Sequence, residues 1–382
     1  MRILLHTPLK APGHRTPSGD RAMARALRDV LRSAGHQVKT LDRGRSGKGL
    51  DTPEQQKAER DAAKRRFADA LNAKQQKSKT SRIDLWLTYH CYYKKPDWIG
   101  AALAKQAGIP YVLAEVSYAP KRADGPWDLG HRQVAVSIRA ADLILNFNPI
   151  DANCVRPVMN KGAVLLDVPP FIDTKPFAAA AQLRGKHRAA LKRKYKLDDT
   201  MPWLLSVAMM RPGDKLASYR VLGQALSGLQ QHPWRLLVVG DGQARPEVEA
   251  ALKPLGDRVV YLGEQAPDKL PALYAAADLY LWPAINEAWG MTLLEAQATG
   301  LPVIAGRTGG VPNVMRENDT GLLTPIGDAA QFAAAVERLL GDPARRREMG
   351  ELARAYAAQR HDRRVAANLI DQALRDAVER RR

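Results

Sequence analysis

The 382-residue sequence contains little cysteine, few aromatic residues and no long apolar run. Its two cysteines, Cys91 and Cys154, cannot build a disulfide framework, so a cytoplasmic location is expected. No apolar segment approaches the roughly 20 residues that cross a bilayer, and the opening run MRILLHTPL is too short for a secretory signal. Aromatic residues make up 6 %, and no nucleic-acid-reading motif is present, so no nucleic-acid partner is expected.

Acidic residues are scarce relative to basic ones, and the shortage is confined to one half of the chain. The sequence has 59 Lys and Arg against 40 Asp and Glu, a net charge of +19. Residues 1–200 hold 37 basic and 19 acidic residues, whereas residues 201–382 hold 22 and 21. A generally arginine-rich composition would raise both halves. The basic half therefore predicts an anionic partner, such as phosphate groups, an anionic lipid or a glycan. The alternative is a surface that is basic only for solubility.

Short apolar runs alternate with helical stretches along the chain, and this rhythm is typical of a parallel sheet covered by helices. It is interrupted at the consecutive prolines 169–170 and restarts with a strand at 203–209. The sequence therefore predicts an α/β protein with two Rossmann-like, doubly wound domains facing across a cleft. The domains are expected over 1–172 and 173–360, with a helix over 361–382 returning to the first. The predicted helices cover 19–34, 53–77, 97–107, 128–140, 184–197, 217–230, 244–253, 267–277, 290–299, 328–340 and 362–380.

Ligands of open α/β sheets bind beyond the carboxyl ends of the strands, so the residues that follow strands are the first candidates for a site. The strand 203–209 leads into a turn with two cations, Arg211 and Lys215, just before a helix. Cations at a helix start suit a diphosphate, although an ordinary exposed loop is the alternative. The strand 259–263 ends at Gly263, and Gln265 follows it in a small-residue turn whose backbone amides suit a base edge.

Two carboxylates flank a helix start after the strand 278–283. Glu287 lies in the loop, Gly290 lies at the helix start, and Glu295 lies two turns along the helix. The backbone amides of Gly290, Met291 and Thr292 are expected to point at an anion, while the carboxylates accept hydrogen bonds from hydroxyls. The pattern predicts a sugar-nucleotide site. A solvated helical position is the alternative for Glu295.

These motifs resemble those of retaining glycosyltransferases with the GT-B fold, and the surrounding sequence looks like glycosyltransferase family 4, the group 1 glycosyltransferases. Glu287 and Glu295 form the E-x7-E pattern of that family, and Arg211 and Lys215 match its paired cations. The resemblance covers roughly residues 203–340. It also includes the segments GDG at 240–242, LPVIA at 301–305, GGVP at 309–312 and TGLL at 320–323.

The resemblance implies a retaining transfer of a hexosyl group from a nucleoside-diphosphate sugar to a hydroxyl acceptor, with a lipid or cell-surface glycan precursor among the acceptors considered. Glu287 would contact the transferred sugar and Glu295 the ribose. Arg211 and Lys215 would neutralise the leaving diphosphate, so neither a metal nor another cofactor is expected. Attack would come from the front face, and the departing phosphate would accept the acceptor proton.

Other classes of protein compete with this interpretation. A GT-B-fold sugar-nucleotide epimerase or a catalytically silent sugar-nucleotide-binding protein are the alternatives, because a fold does not fix a reaction. The turn after the first strand argues strongly against a Rossmann dehydrogenase, since it lacks the G-x-G-x-x-G pattern.

The N-terminal half carries the resemblance only loosely, as is usual for acceptor domains of this family. Gly19 matches the position of the family's glycine loop, although the family usually has two adjacent glycines there. His90 ends the third strand, where relatives often carry a histidine; a partly buried structural histidine is the alternative. After the next strand many relatives carry a catalytic-region histidine that this chain lacks, and Glu115, Lys121 or His131 are the candidates to replace it.

The predicted helix over 53–77 is polar on nearly every face and rich in basic residues. We expect it to face an anionic surface, which would place the protein peripherally at the inner face of a membrane. The candidate contacts are Arg60, Lys64, Arg65, Arg66, Lys74, Lys77 and Lys79.

Overall fold

The computed structural model describes residues 1–9, 12–13, 19–41, 52–75 and 83–381, with the side chains of 19 and 66–75 left aside. The chain divides into two compact units. Unit 1 comprises Met1–Val168 and Arg364–Arg382, and unit 2 comprises Pro169–Arg363. The sequence analysis placed the corresponding boundaries at 172 and 360. Among the described helices, none combines the length and the apolar character that crossing a bilayer requires.

Unit 1 contains a six-stranded sheet in the order β2-β1-β3-β4-β5-β6, with every neighbouring pair parallel. The strands are β1 (Arg2–His6), β2 (Gln37–Leu41), β3 (Leu85–Cys91), β4 (Tyr111–Val116), β5 (Leu143–Asn146) and β6 (Val164–Asp167). The helices are α1 (Gly19–Ser33), α2 (Pro53–Gln75), α3 (Gly100–Ala107), α4 (Asp128–Ala140) and α5 (Pro149–Val155). The central strands are continuous apolar runs because helices cover both faces of such a sheet.

A fully buried polar cluster centred on Asp97 lies in the core of unit 1. The Thr88 hydroxyl donates to Asp97 Oδ2 at 2.5 Å, the Tyr111 hydroxyl donates to the same oxygen at 2.9 Å, and the Gly100 N–H donates to Oδ1 at 2.8 Å. Burial by itself would raise the pKa of Asp97. The charge of His6, 3.6 Å away, and these hydrogen bonds outweigh it and hold the pKa below its usual range. The ionised carboxylate thus organises this part of the core.

Unit 2 contains a second six-stranded parallel sheet, in the order β12-β11-β10-β7-β8-β9. Its strands are β7 (Trp203–Val207), β8 (Arg235–Val239), β9 (Val259–Gly263), β10 (Leu279–Trp282), β11 (Val303–Gly306) and β12 (Gly321–Thr324). Its helices are α6 (Lys175–Gln182), α7 (Arg184–Tyr195), α8 (Asp214–Ser227), α9 (Arg245–Leu252), α10 (Leu270–Ala276), α11 (Met291–Ala298), α12 (Val311–Val314), α13 (Ala329–Leu340) and α14 (Pro343–Arg360). Both sheets are of the doubly wound kind that the sequence predicts.

The last helix, α15 (Arg363–Arg380), packs on unit 1. Asp371 Oδ1 lies 3.0 Å from His36 Nε2, and Arg381, just after the helix, donates to Asp142 at 2.9 Å. The side chains of Ile370 and Leu374 are buried. The sequence analysis expected the C-terminal helix on the same unit.

Candidate active site

The strand order of unit 2 defines where a ligand is expected. The order of connection reverses between β7 and β10, which are neighbours in the sheet. In open α/β sheets a crevice forms at the carboxyl ends of two such strands, and ligands bind there. The turn with Arg211 and Lys215 follows β7, and the loop with Glu287 follows β10. The predicted site residues therefore follow the two strands at the reversal point.

Lys215 and Glu287 are in direct contact. Lys215 Nζ donates to Glu287 Oε2 at 2.5 Å, although 72 positions separate the two residues in the chain. Both side chains are largely buried, with exposed fractions of 28 % and 18 %, whereas Arg211 is exposed. The Lys215 ammonium also lies 5.2 Å from the centre of the Trp282 ring. The structure thus joins the predicted phosphate cation to the predicted sugar carboxylate.

The loop that carries Glu287 is held by glycines of the GGVP segment. The Gly310 N–H donates to the Glu287 carbonyl at 3.0 Å. A Cβ on Gly309 would lie 2.1 Å from that carbonyl oxygen, and a Cβ on Gly310 would lie 2.1 Å from the Ala288 oxygen. A larger residue at either position would therefore displace the loop with its carboxylate.

Gly290 begins α11 with a left-handed backbone, φ +66°, which a glycine adopts without strain. Met291 and Thr292 open the first turn, and the N–H groups of these two positions precede the first bonds of the helix, in which the Leu293 and Leu294 N–H groups donate to the Gly290 carbonyl. The Thr292 hydroxyl accepts a hydrogen bond from the Tyr280 hydroxyl at 2.8 Å. A helix start at the carboxyl edge of the sheet is a common anion-binding arrangement.

Glu295, one turn further along α11, is partly buried and accepts a hydrogen bond from the Tyr274 hydroxyl at 2.7 Å. Burial raises the pKa of Glu295 to about 7, although the hydrogen bond from Tyr274 acts in the opposite direction. The side chain is therefore not simply solvated, which was the alternative weighed for it above.

A pocket of about 730 Å³ lies beside Arg211. Its other lining residues come mainly from the glycine-rich turn after β8 and the end of β9: Met209, Pro212, Gly240, Asp241, Gly242, Gln243 and Glu264. A Cβ on Gly240 would lie 2.0 Å from the Ala208 carbonyl oxygen, so this turn packs tightly on the Arg211 turn. Glu264 lines the pocket, whereas Gln265 donates to the Leu262 carbonyl at 2.5 Å. Sequence reasoning favoured Gln265 and gave Glu264 no role. Gly263, the last residue of β9, has φ +66°.

Unit 1 gathers titratable residues at its own reversal point, between β1 and β3. His90 is the last residue but one of β3 and has φ +59°, and Glu115 holds the same place in β4 and has φ +56°. Such positive φ angles are uncommon outside glycine. His90 Nδ1 lies 3.1 Å from Asp20 Oδ1 in the first turn of α1. Burial lowers the pKa of His90, but Asp20, Glu115 and Asp151 outweigh burial and raise it. Such local strain is often found at functional sites.

Glu115 is the member of this cluster that lacks a full set of partners. Its Oε2 atom is buried and has no hydrogen-bond partner among the described residues. Burial raises the pKa of Glu115, although His90 and Tyr89 act in the opposite direction. Asp151 accepts a hydrogen bond from the Ser117 hydroxyl at 3.1 Å, and burial raises its pKa as well.

The remaining N-terminal candidates lie in other settings. Lys121 is exposed in a short 3-10 helix, and the buried His131 stacks on Tyr118 with 4.5 Å between ring centres. Gly19 is the first residue of α1, and residues 14–18 before it lie outside the described part of the chain.

On α2, the helix predicted to face an anionic surface, Lys64 and Arg65 are exposed, and Arg60 pairs with Asp61. The side chains of Arg66 and Lys74 and the residues Lys77 and Lys79 fall outside the described residues. Across the part of the chain that is described, no group of three or more His, Cys, Asp or Glu side chains is arranged to hold a metal ion.

Solved structures with the same fold extend over nearly the whole chain. A glycosyltransferase from Rickettsia africae superposes with a TM-score of 0.74 and 17 % identity, covering 99 % of this chain and 98 % of its own. The sucrose-phosphate synthase of Thermosynechococcus elongatus superposes with a TM-score of 0.71 and 23 % identity, with 98 % of each chain covered. Anabaena HepE, solved in complex with UDP, superposes with a TM-score of 0.69 and 17 % identity, covering 98 % of this chain and 100 % of its own. The chain therefore has the GT-B fold of glycosyltransferases.

Matches by sequence cover less of the chain than the matches by structure, and the family model lies within unit 2. The family model described as glycosyl transferases group 1 matches residues 188–356, which include Arg211, Lys215, Glu287 and Glu295. The D-inositol 3-phosphate glycosyltransferase of Nocardia farcinica is 32 % identical over 242 residues, 60 % of this chain and 51 % of its own. The N-acetyl-alpha-D-glucosaminyl L-malate synthase of Bacillus anthracis is 35 % identical over 167 residues, which make up 43 % of this chain and 42 % of its own. The chain spans about half the length of the curated relatives it matches.

Residues 188–356, which lie within unit 2, thus match the family model of group 1 glycosyltransferases. The family resemblance of the sequence motifs is confirmed.

Proposed function

We propose that this protein is a retaining, metal-independent glycosyltransferase that moves a hexosyl group from a nucleoside-diphosphate sugar to a hydroxyl of an acceptor. The observation that carries the proposal is the contact between Lys215 and Glu287, 2.5 Å long, at the reversal point of the unit 2 sheet. It lies inside the region that matches the group 1 family.

The chemistry of the sugar-donor side follows from these groups. A diphosphate at the start of α11 would meet the Lys215 ammonium, the Arg211 guanidinium and the free N–H groups of the first turn. Released from Lys215, the Glu287 carboxylate would accept hydrogen bonds from sugar hydroxyls. Fixed positive charge around the leaving diphosphate stabilises the charge that develops there, so these residues do the work for which other transferases use a metal.

A uridine nucleotide is the first sugar donor to test. Solved structures of the same fold include Anabaena HepE in complex with UDP and in complex with UDP-glucose. Their identity to this chain is below 20 %, so they guide the choice of nucleotide and leave the sugar open.

An anionic acceptor is supported by charge. The names of two relatives contain an inositol phosphate and malate, both anionic, and unit 1 has 34 basic against 19 acidic residues. A phosphorylated lipid or glycan precursor belongs to the same chemical class. In unit 1, His90 and Glu115, near the strand ends, would hydrogen-bond an acceptor hydroxyl.

The test is product analysis with defined substrates. The protein is incubated with UDP-glucose or UDP-N-acetylglucosamine and with inositol 3-phosphate, malate or an anionic lipid acceptor, with and without excess EDTA. We expect a glycoside with the anomeric configuration of the sugar donor, by NMR, and unchanged turnover in EDTA. Lys215→Ala should abolish most of this turnover, whereas Lys269→Ala, an exposed lysine outside the site, should not.

Other products would overturn the proposal. An isomerised sugar nucleotide would identify an epimerase, and tight binding without turnover would identify a binding protein. Inversion at the anomeric carbon, or activity that returns only when Mg²⁺ or Mn²⁺ is added back, would contradict the retaining, metal-independent mechanism.

A further inference from the structure

An arginine-lined cavity of about 430 Å³ lies at the amino edge of the unit 2 sheet. Ala277 and Asp278, just before β10, and Leu301 and Pro302, just before β11, form one side of it, and α14 forms the other. The predicted sugar-donor residues follow the carboxyl ends of β7 and β10 instead. The cavity is therefore a separate feature on the opposite edge of the same sheet.

Four arginine side chains line this cavity: Arg184, Arg346, Arg347 and Arg354. Two of them make structural contacts. Arg184 donates to the Asp278 carboxylate at 2.7 Å and to the Ala275 carbonyl at 2.7 Å. Arg346 donates to the Leu340 carbonyl at 2.8 Å, near the end of α13. These two arginines connect α7 and α14 to the rest of the unit.

Arg347 and Arg354 have no such structural role. Both are exposed, and neither makes a hydrogen bond or ion pair with any residue in the described ranges. They lie seven positions apart on α14, about two helical turns, and so project from the same side of the helix. Glu351 lies between them on the same helix and also lines the cavity. The second lining carboxylate, Asp278, is already shared by Arg184 and Arg188.

Positive charge in the cavity exceeds negative charge, with four guanidinium groups against the carboxylates of Asp278 and Glu351. Burial lowers the pKa of Arg346, and the charges of Arg347 and Arg184 act in the same direction, against Asp278 and Asp342. The positive charges of Arg184 and Arg347 thus lie close enough to Arg346 to repel its guanidinium group. A bound anion would relieve that repulsion, and the planar guanidinium fork matches phosphate oxygens in particular.

We propose that this cavity binds the phosphate of a small soluble phosphate ester, with Arg347 and Arg354 donating to the phosphate oxygens. Its volume lies in the range of small-molecule sites. The turn after α11 packs closely against α14, because a Cβ on Gly350 would lie 2.2 Å from the Gly300 carbonyl oxygen. The proposal is independent of the sugar-transfer reaction.

The test is calorimetric titration of the full chain with inorganic pyrophosphate, with chloride added to hold ionic strength constant. The parent protein for this experiment carries Arg211→Ala and Lys215→Ala, so that the sugar-donor side does not contribute. Adding Arg347→Ala and Arg354→Ala should weaken pyrophosphate binding at least tenfold. The matched control, Arg193→Ala with Arg338→Ala, removes two exposed arginines of the same unit and should change the affinity less than twofold.

Two results would overturn the proposal. One is equal pyrophosphate affinity with and without Arg347 and Arg354, or an equal loss in the control. The other comes from sedimentation with phosphatidylglycerol vesicles: if the Arg347→Ala, Arg354→Ala variant loses vesicle binding while keeping pyrophosphate binding, the arginines serve a lipid headgroup and not a soluble ester. Equal unfolding midpoints of all variants show that each measurement concerns folded protein.

Discussion

Unit 1 and unit 2 share a six-stranded parallel sheet but differ in how charge relates to the strand ends. Unit 1 has 34 basic and 19 acidic residues, whereas unit 2 has 25 and 21. At the reversal point of the nearly neutral unit 2, Lys215 is paired with Glu287. At that of the basic unit 1, His90 is surrounded by the carboxylates of Asp20, Glu115 and Asp151. The net charge of a unit therefore does not give the charge of its site, and the two properties need separate tests.

The largest expected effect concerns the core that distinguishes unit 1. Asp97→Ala removes the shared acceptor of Thr88, Tyr111 and the Gly100 N–H and leaves these buried donors unpaired. We expect a loss of about 3–5 kcal/mol in the stability of unit 1. Hydrogen exchange should show faster opening of unit 1 peptides and unchanged peptides in unit 2. Asp29→Ala, at an exposed position, is the control. Equal loosening of both units would show that the units do not unfold separately.

The next effect tests the site of unit 2. In the proposed site, Lys215→Ala and Glu295→Ala would each remove a charge-assisted contact to the sugar nucleotide, worth about 1.5–3 kcal/mol. Calorimetry with UDP-glucose should therefore show a loss of affinity of roughly ten- to a hundredfold. Lys269→Ala serves as the control. Unchanged affinity in both site variants would remove unit 2 as the sugar-donor side.

A smaller effect is expected from the carboxylates around His90 in unit 1, and it tests whether they act on His90 within a unit that is basic as a whole. The Glu115 charge helps to raise the pKa of His90, so Glu115→Gln should lower that pKa. NMR titration of the His90 ring proton measures the change. Asp124→Asn, an exposed carboxylate on the same unit, should leave the His90 titration in place. A His90 pKa that stays constant in Glu115→Gln would mean that the two side chains are not coupled in solution.

The smallest effect concerns the basic surface of unit 1. If α2 attaches the protein to an anionic membrane, each exposed Lys or Arg contributes about 1 kcal/mol. Lys64→Glu with Arg65→Glu should then reduce sedimentation with anionic vesicles, and added salt should reduce it further. Equal, negligible sedimentation with neutral and anionic vesicles at low salt would contradict membrane attachment.

The doubly wound architecture could be predicted from the sequence because apolar runs and helical periodicity are local signals. The motif Arg211 to Glu295 was found for the same reason, since its residues directly follow strands. The helix α14 was missed, because its buried side is made of Met349, Gly350, Ala353 and Ala357, small residues that give a weak apolar stripe. The charge count over residues 1–200 included the basic helix α7, although the predicted domain boundary at 172 and the structure both place this helix in the second unit.

Long-range contacts were beyond the sequence. Nothing local in the sequence shows that Thr88, Asp97 and Tyr111 meet in one buried cluster, because the fold alone brings three separate segments together. The proximity of Glu115 to His90 depends likewise on the pairing of β3 with β4. The signal that favours Glu115 over Lys121 and His131 is its left-handed backbone, which only coordinates reveal.

The burial of the Glu295 carboxyl group has a thermodynamic consequence. With a pKa of about 7, the Glu295 carboxyl is partly protonated in a neutral buffer. The ionised carboxylate would accept hydrogen bonds from ribose hydroxyls better than the protonated form. Nucleotide binding would therefore release a proton into the solvent. The measured heat of binding would then include the ionisation enthalpy of the buffer and would differ between phosphate and Tris at the same pH. The number of protons released, obtained from that difference, would count the ionisation of a single carboxyl group.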